Sequence, residues 1–317
     1  MFKSSGDSGE LIPLLIRVFR PFCFFLFSFV CFGGERVRVA SYNVRNYLVM
    51  DRLVAGRWVE DSPKPEIENR IVRSIIKNVN ADILALQEIG PPIYFHDLWR
   101  DLNNSGLEPY RYSYWIQGEE DEKRHLALLS RIPFEARKVY HELEFSYFGQ
   151  KYRPRRGLME VEFLSNGTSW RLFNLHLKSK WTEREDDPQA ASLREKEARS
   201  IRDYIRQTYP PSGNPKHIVL GDFNDFKNSA AIRRFQKVNQ TTLHNILPCR
   251  DTMGYFWTHY YKKQDSYDRI DYIFASPRMM NHFIEGTAKV ADQIRCLEGS
   301  DHRMIYADFK FENLKSP

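Results

Sequence analysis

Cysteine is scarce in this 317-residue chain, limited to Cys23, Cys31, Cys249 and Cys296. None of the four has the spacing that holds zinc, so a soft, thiolate-lined metal site is excluded. The chain also has no low-complexity linker, no internal repeat and no composition break after Glu35. Residues 35–317 are therefore expected to form a single domain. No sign of charge dominates strongly. The net charge is +6 and the pI about 9.0. That excess is too small for a dedicated DNA-binding module, yet it favours anionic partners such as nucleic acid, phospholipid or phosphorylated small molecules. Long apolar runs are missing too. The stretch Pro21–Phe32, behind Arg17 and Arg20, is apolar but too short to span a bilayer comfortably. Positive charge, a short apolar segment and small residues make residues 1–34 a signal peptide or N-terminal anchor by pattern. A secreted or periplasmic location is expected, with cleavage near Gly33 or Gly34. Cys23 and Cys31 would leave with the leader. Cys249 and Cys296 would remain, and an oxidising compartment could join them.

What is present is a sequence able to fold, 42% hydrophobic and 14% aromatic. Strand patterns recur as RVRVASY (36–42), DILALQ (82–87), HLALLS (125–130), GLMEVEFL (157–164), SWRLFNLHL (169–177), HIVLG (217–221), DRIDYIFAS (268–276) and RMIYADFKF (303–311). Asn166-Gly167 between two of them reads as a hairpin turn. Helices are expected over 65–79, with Ile67, Ile71, Ile75 and Val79 as its stripe, and over 192–209. The second would be opened by a capping box of Ser192 and Glu195 and would bury Leu193, Ala198, Ile201 and Ile205. Hairpins interspersed with helices point to an α+β fold with mixed or antiparallel sheets. The segments 178–191 and 250–266 read as functional loops.

A polar residue stands at or near the end of strand after strand. These residues are Asn43, Glu88, Asn174 with His176, Asp222 with Asn224, Asp271, and Asp301 with His302. Each alone has an ordinary reading as a turn or rim residue. Jointly, carboxylates suit Mg²⁺ or Mn²⁺, whereas amides and imidazoles suit phosphate oxygens. Asp271 could fix the tautomer of His302.

The ordered motifs SYNVRN (41–46), LALQEI (84–89), LALLSRIP (126–133), NLHLKS (174–179), VLGDFND (219–225), DRIDYIFAS (268–276) and GSDHRMIYADF (299–309) resemble those of the endonuclease/exonuclease/phosphatase superfamily, the DNase I-like fold. The resemblance covers about residues 36–312. It implies a four-layer α/β/β/α sandwich, with two mixed sheets face to face and helices outside. It also implies metal-dependent hydrolysis of phosphate esters, usually with Mg²⁺ and with Mn²⁺ as the other candidate ion. Carried onto this chain, Glu88, Asn43 and Asp301 would hold the metal, and Asp222 would position or deprotonate water. Asn224, Asn174 and His176 would bind phosphate, and His302, oriented by Asp271, would contact the phosphate or act as acid/base. Arg156 resembles a family arginine that meets the substrate phosphate, with Arg153 and Arg155 competing for that place.

Arg45 departs from the family pattern. It stands where abasic-site nucleases carry Asp, which argues against base-excision repair. The expected partner is therefore nucleic acid, cleaved with little sequence preference by a monomer without an obligate protein partner. The alternative is a phosphatase or phosphodiesterase acting on phospholipid headgroups or inositol phosphates. In either case the loop GYFWTHYYKK (254–263) would stack on bases or touch a membrane surface transiently. A catalytically silent phosphate-binding protein is the third reading. It is disfavoured because every carried-over position keeps a competent residue.

Overall fold

The computed structural model describes residues 34–54, 56–119 and 122–312. The expected leader, apart from Gly34, lies outside the described residues. Twelve strands build two sheets: β1 (Glu35–Tyr47), β2 (Ile83–Ile89), β3 (Tyr112–Ile116), β4 (His125–Ser130), β5 (Ala136–Tyr140), β6 (Leu158–Ser165), β7 (Thr168–His176), β8 (His217–Asp222), β9 (Asn245–Ile246), β10 (Asp271–Ala275), β11 (Lys289–Val290) and β12 (Ile305–Phe311). One sheet runs β11-β12-β1-β2-β4-β3 and the other β9-β10-β8-β7-β6-β5. Each is mixed through one parallel pair, β1 with β2 and β7 with β8. The Asn166-Gly167 turn joins β6 to β7 with both residues at positive φ, 43° and 74°. That conformation suits a tight hairpin.

The inner faces follow from side-chain alternation along each strand. Val37 and Val39 of β1, Ile83 and Ala85 of β2, Leu172 of β7, Ile218 and Leu220 of β8, and Ile273 and Ala275 of β10 share one buried cluster between the sheets. The opposite faces take helices. α1 (Glu66–Val79) and α2 (Pro92–Asn103) cover the first sheet. α3 (Ala191–Thr208) and α4 (Ala230–Gln236) cover the second. The result is the expected four-layer α+β sandwich.

Details of both expected helices shift. In α1 the buried face is Val72, Ile75, Ile76 and Val79, while Ile67 is 46% exposed. The closer i, i+3, i+4, i+7 spacing won over a four-residue stripe because 3.6 residues complete a turn. In α3 Ala198, Ile201 and Ile205 are buried as expected, and Leu193 is half-buried. Ser192 does not cap it. Asp187 does, its carboxylate accepting from the backbone N–H of Ser192 and of Leu193, each at 3.1 Å. Asp187 lies in the preceding loop, where no local capping pattern reveals it. Cys249 and Cys296 are both free thiols, the first buried and the second half-buried.

Trp170 is fully buried and stacks on Phe163 and Phe311, with ring centroids 4.8 and 5.5 Å away. This aromatic column fastens the β6–β7 hairpin to β12 of the other sheet. Trp170→Ala is expected to cost about 3–5 kcal/mol in urea unfolding. A loss under about 1 kcal/mol would mean the column is not part of the core.

Candidate active site

The apolar inner-face rows end in polar groups at one edge of the sandwich. Continuing the rows by two residues gives Asp222 on β8 and Asp271 on β10, and by four residues Asn43 on β1 and His176 on β7. Strand register then does the rest, because His176 pairs with Asp222 and Asp222 with Asp271. Imidazole and two carboxylates thus stand in adjacent positions across three strands. Gly221 makes the β7–β8 approach feasible. Its φ is +137°, and a Cβ there would lie 1.9 Å from the Leu175 carbonyl oxygen.

Asp222 is the hub and is 1% exposed. Its Oδ1 accepts from the Asn224 backbone N–H at 2.8 Å. Its Oδ2 accepts from Asn43 Nδ2 at 3.0 Å, across to the other sheet, and from Asn224 Nδ2 at 3.3 Å. His176 Nε2 and His302 Nε2 stand 3.4 and 3.8 Å from that same oxygen. His302 Nδ1 meets Asp271 Oδ2 at 2.9 Å, which leaves Nε2 facing Asp222. The Ser300 hydroxyl donates to the Asn43 carbonyl at 2.8 Å and accepts from the His302 backbone N–H at 3.1 Å, so the end of β1 locates His302.

The charges of this cluster follow from its surroundings. Burial raises the Asp222 carboxyl above the ordinary range, against the pull of His302 and the Asn224 N–H. Burial also opposes the imidazolium of His302, but the Asp271 and Asp222 carboxylates outweigh it and raise that group. Burial, with Arg156 and His302 adding to it, pushes His176 well down, so this ring is neutral.

Glu88 reaches the cleft by a different route. Inner-face parity in β2 belongs to Ile83, Ala85 and Gln87, which would aim Glu88 the other way. Glu88 instead adopts φ +60°, where the β2–β4 register shifts between Gln87 and Ile89. The bulge re-aims the side chain into the cleft. There Glu88 Oε2 accepts from the Asn46 N–H at 2.9 Å and lies 3.8 Å from Arg124. Asp301 lines the same cleft and pairs with Arg45 at 3.4 Å. Arg156 is buried against Glu122 at 2.9 Å, and its Nη1 makes no hydrogen bond among the described residues.

Asn174 requires a correction. It is fully buried and its amide is committed: Oδ1 accepts from Gln87 Nε2 at 2.7 Å, and Nδ2 donates to the carbonyls of Leu86 and Ala127 at 3.2 Å each. It lies one inner-face step deeper than His176, roughly 7 Å along the strand. It therefore clamps β7 to β2 and β4 and has no donor left for phosphate. Its neighbour Gln87 escaped the sequence reading because nothing distinguishes an amide inside an apolar strand until its partner is known.

The cleft holds about 510 Å³ and also receives Lys123, Arg155, Lys178, Trp181 and His259. Six Lys or Arg side chains line it against four carboxylates, so its field favours an anion. Strand-end reading missed Arg124, Lys178 and His259 because they stand in loops or beside strand starts. Arg194 supports this edge from behind. Its Nε binds Asp225 at 2.9 Å and its Nη1 donates to the Lys178 and Gln189 carbonyls, tying the 178–190 loop to the end of β8.

The carboxylate and amide oxygens, with no sulfur beside them, fit a hard divalent ion, whereas the imidazoles suit a softer one. Among the described residues, His259, Asp301 and His302 form one group able to hold a metal ion, and Asp222, Asp271 and His302 form another. Glu88 belongs to neither group, although it lines the same cleft.

The family model described as Endonuclease/Exonuclease/phosphatase family matches residues 40–302. The chain belongs to this family. Members are hydrolases acting on phosphate esters, with phosphodiesters such as nucleic acids among their substrates. No curated protein sequence matches the chain. Among solved structures, the catalytic domain of human Nocturnin with bound sulfate is 17% identical, with 87% of this chain and 94% of that one covered at TM-score 0.58. Truncated Caenorhabditis elegans TDP2 is 21% identical, with 88% and 99% covered at TM-score 0.56. Sphingomyelinase C from Streptomyces griseocarneus is 14% identical, with 87% and 99% covered at TM-score 0.58. These likenesses establish the α+β sandwich.

Gly221→Ala should yield little folded protein, because a backbone oxygen cannot yield to the new methyl group. Gly213→Ala, with open space around its Cβ position, should melt like the wild type by circular dichroism. A cooperative melt of Gly221→Ala at the wild-type temperature would refute the close-approach account.

Proposed function

We propose that the protein is a divalent-metal-dependent phosphodiesterase that cleaves nucleic acid with little sequence preference. The observation that carries the reading is Asp222 at the floor of a cleft where cations outnumber carboxylates. Mg²⁺, or Mn²⁺ in its place, would be held by Glu88, the Asn43 side-chain oxygen and Asp301. A bound ion of this kind supplies charge neutralisation at the phosphate and at its leaving oxygen.

The chain's own residues do the positioning. Asp222, oriented by Asn43 and Asn224, accepts the proton of a water aimed at phosphorus. His302, held by Asp271 and positively charged, faces the phosphate oxygens. Neutral His176 supplies a further contact, and Arg156, held against Glu122 in the cleft wall, adds positive charge. Arg45, Lys123 and Arg124 meet neighbouring phosphates, which carry no sequence information. We also place the protein outside the cytoplasm, on the leader read from its first 34 residues.

The full chain should nick supercoiled plasmid in Mg²⁺, and EDTA should abolish nicking. Asp222→Asn should lose about 10²–10⁴-fold, the range for a lost general base. The rate under sub-saturating substrate should fall steeply with salt, as phosphate contacts release counterions. Plasmid left intact at all salt concentrations with every divalent ion would overturn the nuclease reading. One observation favours the lipid reading in that case: Met253, Tyr255 and Phe256 are 77%, 59% and 55% exposed on one loop. Such a surface suits a membrane interface.

The pH profile gives a second check. A raised Asp222 is protonated, and unable to accept a proton, at a pH where ordinary carboxylates are ionised. kcat/KM should therefore fall on acidification with a midpoint above about 4. A profile flat down to the ordinary carboxylate range would count against Asp222 as the base.

A further inference from the structure

A second cavity, of about 440 Å³, opens beside the active-site cleft and shares Arg155, Lys178 and Trp181 with it. One wall is a two-stranded hairpin, Phe145–Tyr147 paired with Gln150–Tyr152, which contributes Phe145, Tyr147 and Tyr152. Another is the loop after β7, which contributes Trp181. Leu193 of α3 also lines the cavity, which accounts for that side chain being only half-buried.

The rings are held in place, and one of them is open. Phe145 and Tyr152 stack with centroids 6.3 Å apart, and Tyr147 meets Tyr152 edge-on at 5.1 Å. The Tyr147 hydroxyl donates to Asp187 Oδ2 at 2.9 Å. That carboxylate also caps α3, so the hairpin is fixed to the helix. The Lys178 ammonium donates to the Ser179 carbonyl at 3.2 Å and to the Trp181 carbonyl, fixing the turn that carries the indole. The indole itself is left exposed, Trp181 being 70% accessible. A large ring left open beside a concave, ring-lined cavity marks a binding surface. Charge is not what this cavity offers. Arg153 is paired with Glu142 and Glu144, and Arg184 with Asp186. It offers aromatic surface, next to a cleft that attracts anions.

We propose that this cavity is the subsite for a nucleobase next to the cleaved phosphate, with Trp181 as its stacking platform, an assignment that rests on nucleic acid being the substrate of the cleft. The phosphate stays in the cleft, and the attached base turns past Lys178 and Arg155, which border both spaces, into the ring-lined cavity. The size agrees, since a cavity of about 150 Å³ is enough for benzene. Stacking uses the π-face that every base has, so the subsite tolerates any sequence. A paired base would first have to leave its duplex stack. The substrate class is therefore single-stranded or locally unpaired nucleic acid, and supercoiled plasmid is nicked where its strands separate.

The test follows kcat/KM of the full chain in Mg²⁺ on two single strands of equal length. One is oligothymidylate, and the other has the same phosphate backbone on tetrahydrofuran units that carry no base. The bases should raise kcat/KM about tenfold or more, the worth of one stacked base. Trp181→Ala should bring the ratio of the two substrates close to one, and Trp181→Phe, which keeps a π-face, should restore most of it. Trp58→Ala removes a ring that is 75% exposed but lines neither space, and it should keep the wild-type ratio. A wild-type ratio near one, or a ratio unmoved by Trp181→Ala, would overturn the subsite and leave the nuclease reading standing. So would nicking of plasmid with oligothymidylate left intact. No cleavage of either oligomer or of plasmid would overturn both.

Discussion

The hydrogen bond from Asn43 to Asp222 is the constraint on which the rest of the site depends. It joins β1 of one sheet to β8 of the other at the edge where both inner faces run out of apolar residues. Two packed sheets can slide by fractions of an ångström while keeping a buried apolar interface, because dispersion contacts have little direction. A buried amide on a buried carboxylate cannot. Gln87 and Asn174 repeat the device one step deeper, with Asn174 satisfied by Gln87, Leu86 and Ala127. The sandwich is therefore apolar through its middle and keyed by amides at one end, and that end is where chemistry needs fixed geometry.

Burying carboxylates there has an electrostatic consequence. Asp222 and Asp271 occupy neighbouring register positions and are almost fully buried, so they would repel without compensation. His302 sits between them, on Asp271 through Nδ1 and facing Asp222 through Nε2. The charge it carries is stabilised by the two carboxylates, and they in turn are stabilised by it. The cluster is then close to balanced at its core, while the Lys and Arg side chains above it leave the mouth positive. A phosphate entering this cleft exchanges water for fixed donors, which is the condition under which electrostatic stabilisation is largest.

The sequence discloses the inner-face rows because period two is visible in it. Val37-Val39-Ser41-Asn43 and Ile218-Leu220-Asp222 can be read as apolar rows finishing in a polar group. Depth along a row is not visible, which is why Asn174 and His176 look equivalent until the partners of Asn174 are seen. Glu88 is legible as a polar residue at a strand end, but its aim is not, since its parity points away from the cleft and a positive φ corrects it. The Asp187 cap and the Arg194–Asp225 tie were hidden because each spans a loop whose path no local pattern fixes.

The central claim is that water, activated at Asp222, attacks phosphorus. The most direct measurement is hydrolysis of a phosphodiester in ¹⁸O-labelled water with a divalent ion, followed by mass spectrometry of both products. The account predicts one heavy oxygen on the phosphate-bearing product of the wild-type chain and none on the released alcohol. Label in the alcohol, or label on phosphate at an undiminished rate when Asp222 is replaced by Asn, would contradict it.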